Sequence, residues 1–194
     1  DATATQNSAA TPGHRWARSM WQGWHLPVGT VSYCLREMEL GLIERIQSRL
    51  ARALEAQGSG KFVRTQSGAA IGSSVGMVRK RNEDCCLIAR VSYADSGRTN
   101  FTIAMVGDGL GGMSQGREAA ILAASAFTAH LFCTPVIGWK ERLSRAIAFV
   151  NAQVYQRLHG DGGTTLSAVI SFNDGAMFCH VGDSRIYGVM PDRA

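Results

Sequence analysis

No stretch of this 194-residue chain approaches the ~18 uninterrupted apolar residues that a membrane helix needs. Its apolar runs are broken by Gly, Ser or charge, and residues 1–20 lack the apolar core of a secretory signal. No CxxC pair occurs. The five cysteines (Cys34, Cys85, Cys86, Cys133 and Cys179) are odd in number and irregularly spaced, which argues against a disulfide framework or a zinc ribbon. Reduced thiols packed in a core suit a cytoplasmic protein. Charge of one sign is scarce too: 20 Lys+Arg against 15 Asp+Glu leave +5, with no basic tail of the nucleic-acid-binding kind. What is present, 45% hydrophobic and 18% charged residues, is the composition of a globular protein of one domain plus an appendage. The chain opens on Asp1 rather than Met, as a processed chain or a fragment does.

Residues 1–30 are rich in Ala, Thr, Ser and Gln and read as irregular. Trp16, Trp21 and Trp24 stand out there as docking residues, for this chain's own surface or for a partner. Leu35, Met38, Leu42, Ile46, Leu50 and Leu54 recur at helical steps and predict a helix over 31–56, ended by Gly58 and Gly60. Such a helix covers a domain or pairs with a partner helix. From residue 69 the pattern predicts strands at 69–77, 85–91 and 101–106, then helices at 115–132 and 139–159. Strands at 164–172, 176–181 and 184–190 complete the order, with Asn173-Asp174-Gly175 as a hairpin turn. This order predicts an α+β fold with antiparallel sheets: 1–68 as an N-terminal extension and 69–194 as the principal domain.

Four segments carry candidate chemistry. Arg79-Lys80-Arg81-Asn82-Glu83-Asp84 joins two strands; taken alone it reads as a solvated turn. Val106-Gly107-Asp108-Gly109-Leu110-Gly111-Gly112-Met113 ends a strand and opens a helix. It matches the dinucleotide pattern G-x-G-x-x-G, but Asp108 would repel a pyrophosphate. No Asp or Glu lies between Glu118 and Glu141 to meet a ribose. Gly162-Gly163-Thr164-Thr165-Leu166 enters a strand, and His180-Val181-Gly182-Asp183-Ser184-Arg185-Ile186-Tyr187 turns between two. Each is weak by itself. Together they put Glu83, Asp84, Asp108 and Asp183 at strand ends, with Arg79 nearby. Converging carboxylates repel unless a cation lies between them, and all-oxygen donors select Mg²⁺ or Mn²⁺. A hard divalent ion with a phosphate-binding Arg is equipment for phosphoester hydrolysis.

In order and spacing, V-R-K-R-N-E-D at 78–84, V-G-D-G-L-G-G-M at 106–113, G-G-T-T-L at 162–166 and H-V-G-D-S-R-I-Y at 180–187 resemble the bacterial metal-dependent (PPM, type 2C) Ser/Thr protein phosphatases. The resemblance covers residues ~70–190. It implies a four-layer α-β-β-α sandwich of two antiparallel sheets with a binuclear Mn²⁺/Mg²⁺ centre. It assigns the substrate phosphate to Arg79. Glu83 and Asp108 become metal ligands, Asp108 bridging both ions and the Gly109 carbonyl adding a donor. Asp84 holds metal-bound water, and Asp183 helps hold a third, weaker ion. A metal-bound hydroxide attacks phosphorus. Some relatives carry a His as general acid where this chain has Leu110.

The family also has an S-D-G-type aspartate and a final D-N aspartate, both metal ligands, and neither has a counterpart before Ala194. The expectation is a C-terminally truncated phosphatase, weakly active or inactive as an isolated chain. The alternative is a noncatalytic phosphatase-like regulatory or binding module. The implied partners are phosphorylated protein substrates and a cognate Ser/Thr kinase, with a further contact through helix 31–56 and Trp16/Trp21/Trp24. Nucleic acid and a membrane span are not expected.

Overall fold

The computed structural model describes residues 28–57, 62–66, 69–93, 100–110, 115–134 and 138–189, excepting the side chains of 28–40, 62 and 64–66. Trp16, Trp21 and Trp24, with the rest of 1–27, lie outside the described residues, as do Gly111, Gly112 and Met113. The elements run α1 Val28–Ala56, β1 Phe62–Gln66, β2 Ala69–Ser73, β3 Cys85–Val91, β4 Phe101–Gly107, α2 Gly116–Cys133, α3 Trp139–Leu158, β5 Leu166–Phe172 and β6 Gly175–Val181. The α+β class with antiparallel pairing is as the sequence predicts.

Strands β3-β4-β5-β6 form one antiparallel sheet in chain order, and β1-β2 form a separate hairpin. The two helices α2 and α3 are inserted between adjacent strands β4 and β5 and fold back over one sheet face. That face is set by alternation: Phe101, Ile103 and Met105 of β4 are buried, while Thr102 and Ala104 are half-buried and Val106 is exposed. In register, Leu87 meets Met105, which meets Ala168, which meets Cys179. These side chains and their neighbours make the core together with Phe127, Leu131 and Leu143 of the helices.

Helix α2 is buried nearly all round, because the sheet, α1 and α3 all press on it. Its run of alanines leaves room for these close approaches. Helix α3 is amphipathic and lays Leu143, Ala146 and Val150 inward. It also buries Arg142, whose guanidinium lies 4.2 Å from the Trp139 ring centroid and 5.1 Å from that of Phe101. Those ring faces offset part of the cost of desolvating the charge.

Helix α1 begins three residues before the predicted start and drops Ile43 and Leu54 into the core, Ile43 against Ala129 and Cys133 of α2. The periodicity leaves 62–66 unassigned; they form β1, paired antiparallel to β2 with Gln66 opposite Ala69. The segment 184–189, predicted as a strand, is irregular. A strand needs a hydrogen-bonded neighbour. Gly182, at φ +102°, turns the chain out of the β6 line, and no described strand lies beside residues 184–189. Cys85, Cys86, Cys133 and Cys179 are buried, as expected. Among the described residues no helix is long and apolar enough to cross a membrane.

The second sheet face is less covered: Val106 and Phe178 there are 44% and 43% exposed. Substitutions should report this asymmetry. Phe127→Ala, at a site with no exposure, should cost about 3–5 kcal/mol in urea unfolding. Val106→Ala should cost less than about 1 kcal/mol. Equal losses would contradict the assignment of the core to the helical face.

Candidate functional site

Sheet register builds the site. Cys85 pairs with Gly107, so one step further along both strands sets Asp84 opposite Asp108. Val106 pairs with Ser167, so moving two steps further sets Thr165 beside Asp108. Leu166 pairs with Val181, which sets Gly182 beside Thr165. Asp84, Asp108, Thr165 and Gly182 thus form a row across the end of all four strands. By alternation this row lies on the face turned away from the helices, with Cys86 and Val106. A hollow of about 330 Å³ opens there, walled by Asp84, Asp108, Cys86, Ser73, Ser184 and Arg185 among others.

Asp108 is held by its backbone. Its N–H donates to Thr165 Oγ1 at 3.0 Å, and its carbonyl accepts from the Thr165 N–H at 2.9 Å. The Thr164 hydroxyl adds a bond to the same carbonyl at 3.1 Å, and the Leu110 N–H donates to the Gly163 carbonyl at 2.9 Å. The Thr165 and Ser184 hydroxyls lie 2.7 Å apart, which ties the third segment to the fourth. Gly109 has no room for a side chain: a Cβ would meet the Gly116 carbonyl oxygen at 2.4 Å and that of Glu83 at 2.7 Å. The loop after β4 therefore packs directly on the Glu83 and Gly116 backbone.

The first segment is braced from beneath. Buried Asn82 donates through Nδ2 to Ser73 Oγ and accepts from the Asp84 N–H at 3.1 Å. Arg117, in the first turn of α2, donates through Nη1 to the carbonyls of Asn82 and Asp84 at 3.2 and 3.3 Å. Arg79 pairs with Glu83 at 3.5 Å. His180 is structural: it lies 2.8 Å from Ser167 Oγ through Nδ1 and 2.8 Å from the Gly182 carbonyl through Nε2. It thereby fixes the turn that leads to Asp183.

The charges are uneven. The Asp84 carboxyl is held above its ordinary value of 3.8, first by partial burial and then by the charge and hydrogen bonding of the facing Asp108; Arg79 opposes the rise. Burial pushes the Cys85 thiol up to about 12. Cys86, in the wall of the hollow, is also raised by burial and by Asp84. Neither thiol is a nucleophile at neutral pH.

Of the residues predicted from sequence, Asp84 and Asp108 come together, Arg79 acts on Asp84 and pairs Glu83, and Gly109 packs beneath them. Asp183 lies exposed just past Gly182 and is not gathered with them. The donors are hard oxygens, the type that Mg²⁺ or Mn²⁺ takes. Glu83 Oε2 is buried without a hydrogen-bond donor, its Arg79 partner remaining at ion-pair distance. In donor type these residues fit such an ion. In number they do not close a ligand set, since among the described residues no three His, Cys, Asp or Glu gather to hold a metal.

Sequence reasoning missed Thr165, Arg117 and Asn82 as supports. The two threonines after paired glycines carried a signal, but one indistinguishable from strand-forming residues after a turn.

No protein-family model matches the chain, and no curated protein does. Among solved structures the chain is similar to one described as the PPM Ser-Thr phosphatase MsPP from Mycobacterium smegmatis in complex with cacodylate. The identity is 26% over 66% of this chain and 47% of that one, with a TM-score of 0.44. The chain thus spans about half the length of that structure.

Two outcomes test the site. Thr165→Val keeps the shape but strands the Asp108 N–H and the Ser184 hydroxyl; it should cost about 1–3 kcal/mol in denaturant unfolding. The raised Asp84 pKa means the metal-free folded protein holds this proton more tightly than the unfolded chain. Stability is therefore lost as pH rises through the folded pKa. Solvent screens a pair this exposed, so Asp84→Asn should raise Tm of metal-free protein by only about 1–3 °C at pH 7. The difference should close as pH falls toward 3.8. A pH-independent difference would remove the facing-carboxylate account.

Proposed function

We propose that this chain carries the phosphate-handling core of a metal-dependent protein serine/threonine phosphatase of the PPM type. The observation that carries the reading is the facing pair Asp84 and Asp108 at the open end of the sheet, with the Arg79 guanidinium acting on Asp84. Arg79 is the group to take the phosphate oxygens of a phosphoserine or phosphothreonine: it is 57% exposed and shares its charge with Glu83 only at 3.5 Å.

Glu83, Asp108 and the Gly109 carbonyl would hold Mn²⁺ or Mg²⁺, with Asp84 on their water and Asp183 at a third, weaker ion. When bound, these ions supply an activated water and neutralise charge developing on the phosphoryl group. The Thr165 clamp fixes where Asp108 stands, and Arg79 orients the ester. Leu110 offers no proton, so the leaving oxygen takes its proton from water.

The four-layer sandwich belongs to the same proposal. A second sheet over the open face would cover Val106 and Phe178, which are 44% and 43% exposed. So do phosphorylated protein substrates, a cognate Ser/Thr kinase, and contacts through helix 31–56 and Trp16, Trp21 and Trp24.

One observation favours a second reading, a noncatalytic module that binds phosphorylated partners: no three metal-binding side chains gather among the described residues. A single set of samples separates the two. Mn²⁺ is titrated by calorimetry while p-nitrophenyl phosphate hydrolysis is followed. The phosphatase reading expects Mn²⁺-dependent turnover, abolished in Asp108→Asn, and a KM raised at least about tenfold in Arg79→Ala with kcat changed less. Phosphate-dependent peptide binding without turnover selects the module. Turnover that survives Asp108→Asn refutes the phosphatase assignment of this residue.

A further inference from the structure

Helix α1 is 29 residues long, and its two halves differ. In the C-terminal half Ile43 and Leu54 are buried, and Ile46 packs with Ile43 against Ala129 and Cys133, at the end of α2. The other end of α1 leads to β1, whose Phe62 pairs with Ser73 in the wall of the hollow, the end at which Arg117 opens α2. The two helices are therefore antiparallel. From Leu42 back to Val28, α1 continues past the last turn of α2 for roughly 20 Å, at ~1.5 Å per residue. This continuation has its own pattern. Val28, Val31, Leu35, Met38 and Leu42 follow at alternating steps of three and four, the repeat of a two-stranded coiled coil. At about 100° per residue, the stripe lies roughly a quarter turn round the helix from Ile43, Ile46 and Leu54, so it is not the stripe that α2 covers. Leu42 is 40% exposed, and a Cβ on neighbouring Gly41 would meet nothing within 4 Å. Past Leu42 the same spacing falls on Arg45, Arg49 and Arg52, all exposed. A helical stretch this short, with Gly29 and Gly41 in it, is marginal in water unless something packs on it.

We infer that residues 28–42 are a dimerisation seam whose occupant is the same segment of a second copy, in a parallel two-stranded coil. The pattern is complementary to itself. Parallel pairing sets each apolar position, from Val28 to Leu42, on its own copy. Antiparallel pairing would set Val28 against the partner's Arg45 and lose that layer. In the parallel pair the positions flanking the seam bring Cys34 toward the partner's Glu39, so no like charges meet along it. One step past Leu42, Arg45 would meet the partner's Arg45, and like-charge repulsion parts the helices where the two bodies begin. The seam lies at the end of the molecule away from the carboxylate row, so both hollows stay open in the dimer. The inference is independent of the phosphate chemistry proposed above.

The test is sedimentation equilibrium of the 194-residue chain. Its mass should climb from 20.8 kDa toward twice that value as concentration rises from about 1 to about 100 µM. Leu35→Glu with Met38→Glu puts like charges into two adjacent layers and should weaken the dimer at least about a hundredfold. At about 1 µM, where the wild type is monomeric, urea unfolding of the body should be the same in this variant, because both positions lie past α2. Arg45→Leu adds an apolar layer and should tighten the dimer about tenfold. Cys34→Ser with Met38→Cys reads the orientation: mild oxidation should give a disulfide-linked dimer that dithiothreitol reverses, since parallel pairing sets position 38 on its own copy. The four cysteines of the body are buried and should not compete.

A chain that stays monomeric up to about 100 µM overturns the inference and leaves the stripe to a different helix. A dimer that survives Leu35→Glu with Met38→Glu also overturns it and assigns the contact to another surface, such as the open sheet face with Val106 and Phe178. A trimer or tetramer overturns the two-stranded pairing, and a dimer that Met38→Cys fails to link overturns the parallel one. None of these outcomes bears on the reading of Arg79 and Asp108.

Discussion

Asp84 and Asp108 repel each other, and the sheet register leaves them no way apart. Each lies one residue beyond a strand of the same antiparallel pair, so the pairing that buries Leu87 and Met105 also sets the two carboxyls opposite each other. Slipping the register by one residue would separate them but would turn the whole buried row of β4 toward solvent. The core therefore holds the charges together. A row of buried apolar side chains is worth several kcal/mol, more than a solvent-screened carboxylate pair takes back.

Around that pair, most of the local structure acts on the backbone rather than on the charges. Thr165 grips Asp108 at both its N–H and its carbonyl and reaches Ser184 with the same hydroxyl. Arg117 holds the carbonyls of Asn82 and Asp84 from the first turn of α2. Gly109 lets the loop after β4 lie directly on the Glu83 and Gly116 backbone. The carboxylate oxygens are left with few internal donors, and Glu83 Oε2 has none. A site that binds an ion or a phosphate needs this division: positions fixed by main-chain bonds, charged atoms kept for the ligand.

The open sheet face and the helical face differ for an equally local reason. Between β4 and β5 the chain makes two long helices, and both return to the same side. The alanines of α2 allow that helix to sit under α1 and α3 at once. The other side has Val106 and Phe178 in solvent, beside the carboxylate row and the basic turn at 77–81.

Much of this was legible in the residues. Periodicity of 3.6 and 2 located three helices and most strands, because each burial stripe is written along its own segment. Strong turn residues such as Asn173-Asp174-Gly175 fixed the β5–β6 hairpin. Four short segments were recognisable as one chemical set, since carboxylates at strand ends beside an arginine are costly without a purpose. The misses share a cause. The strand predicted at 184–190 failed, and β1 passed unassigned, because a strand is completed by a neighbour and a sequence does not say which edge is free. Thr165 and Arg117 looked ordinary because their roles lie in contacts 57 and 35 residues away. The sequence by itself determined the class of fold and the type of donor, hard oxygens with a guanidinium. Only the tertiary structure decided which carboxylates meet: strand register brings Asp84 to Asp108, while the left-handed turn at Gly182 leaves Asp183 outside.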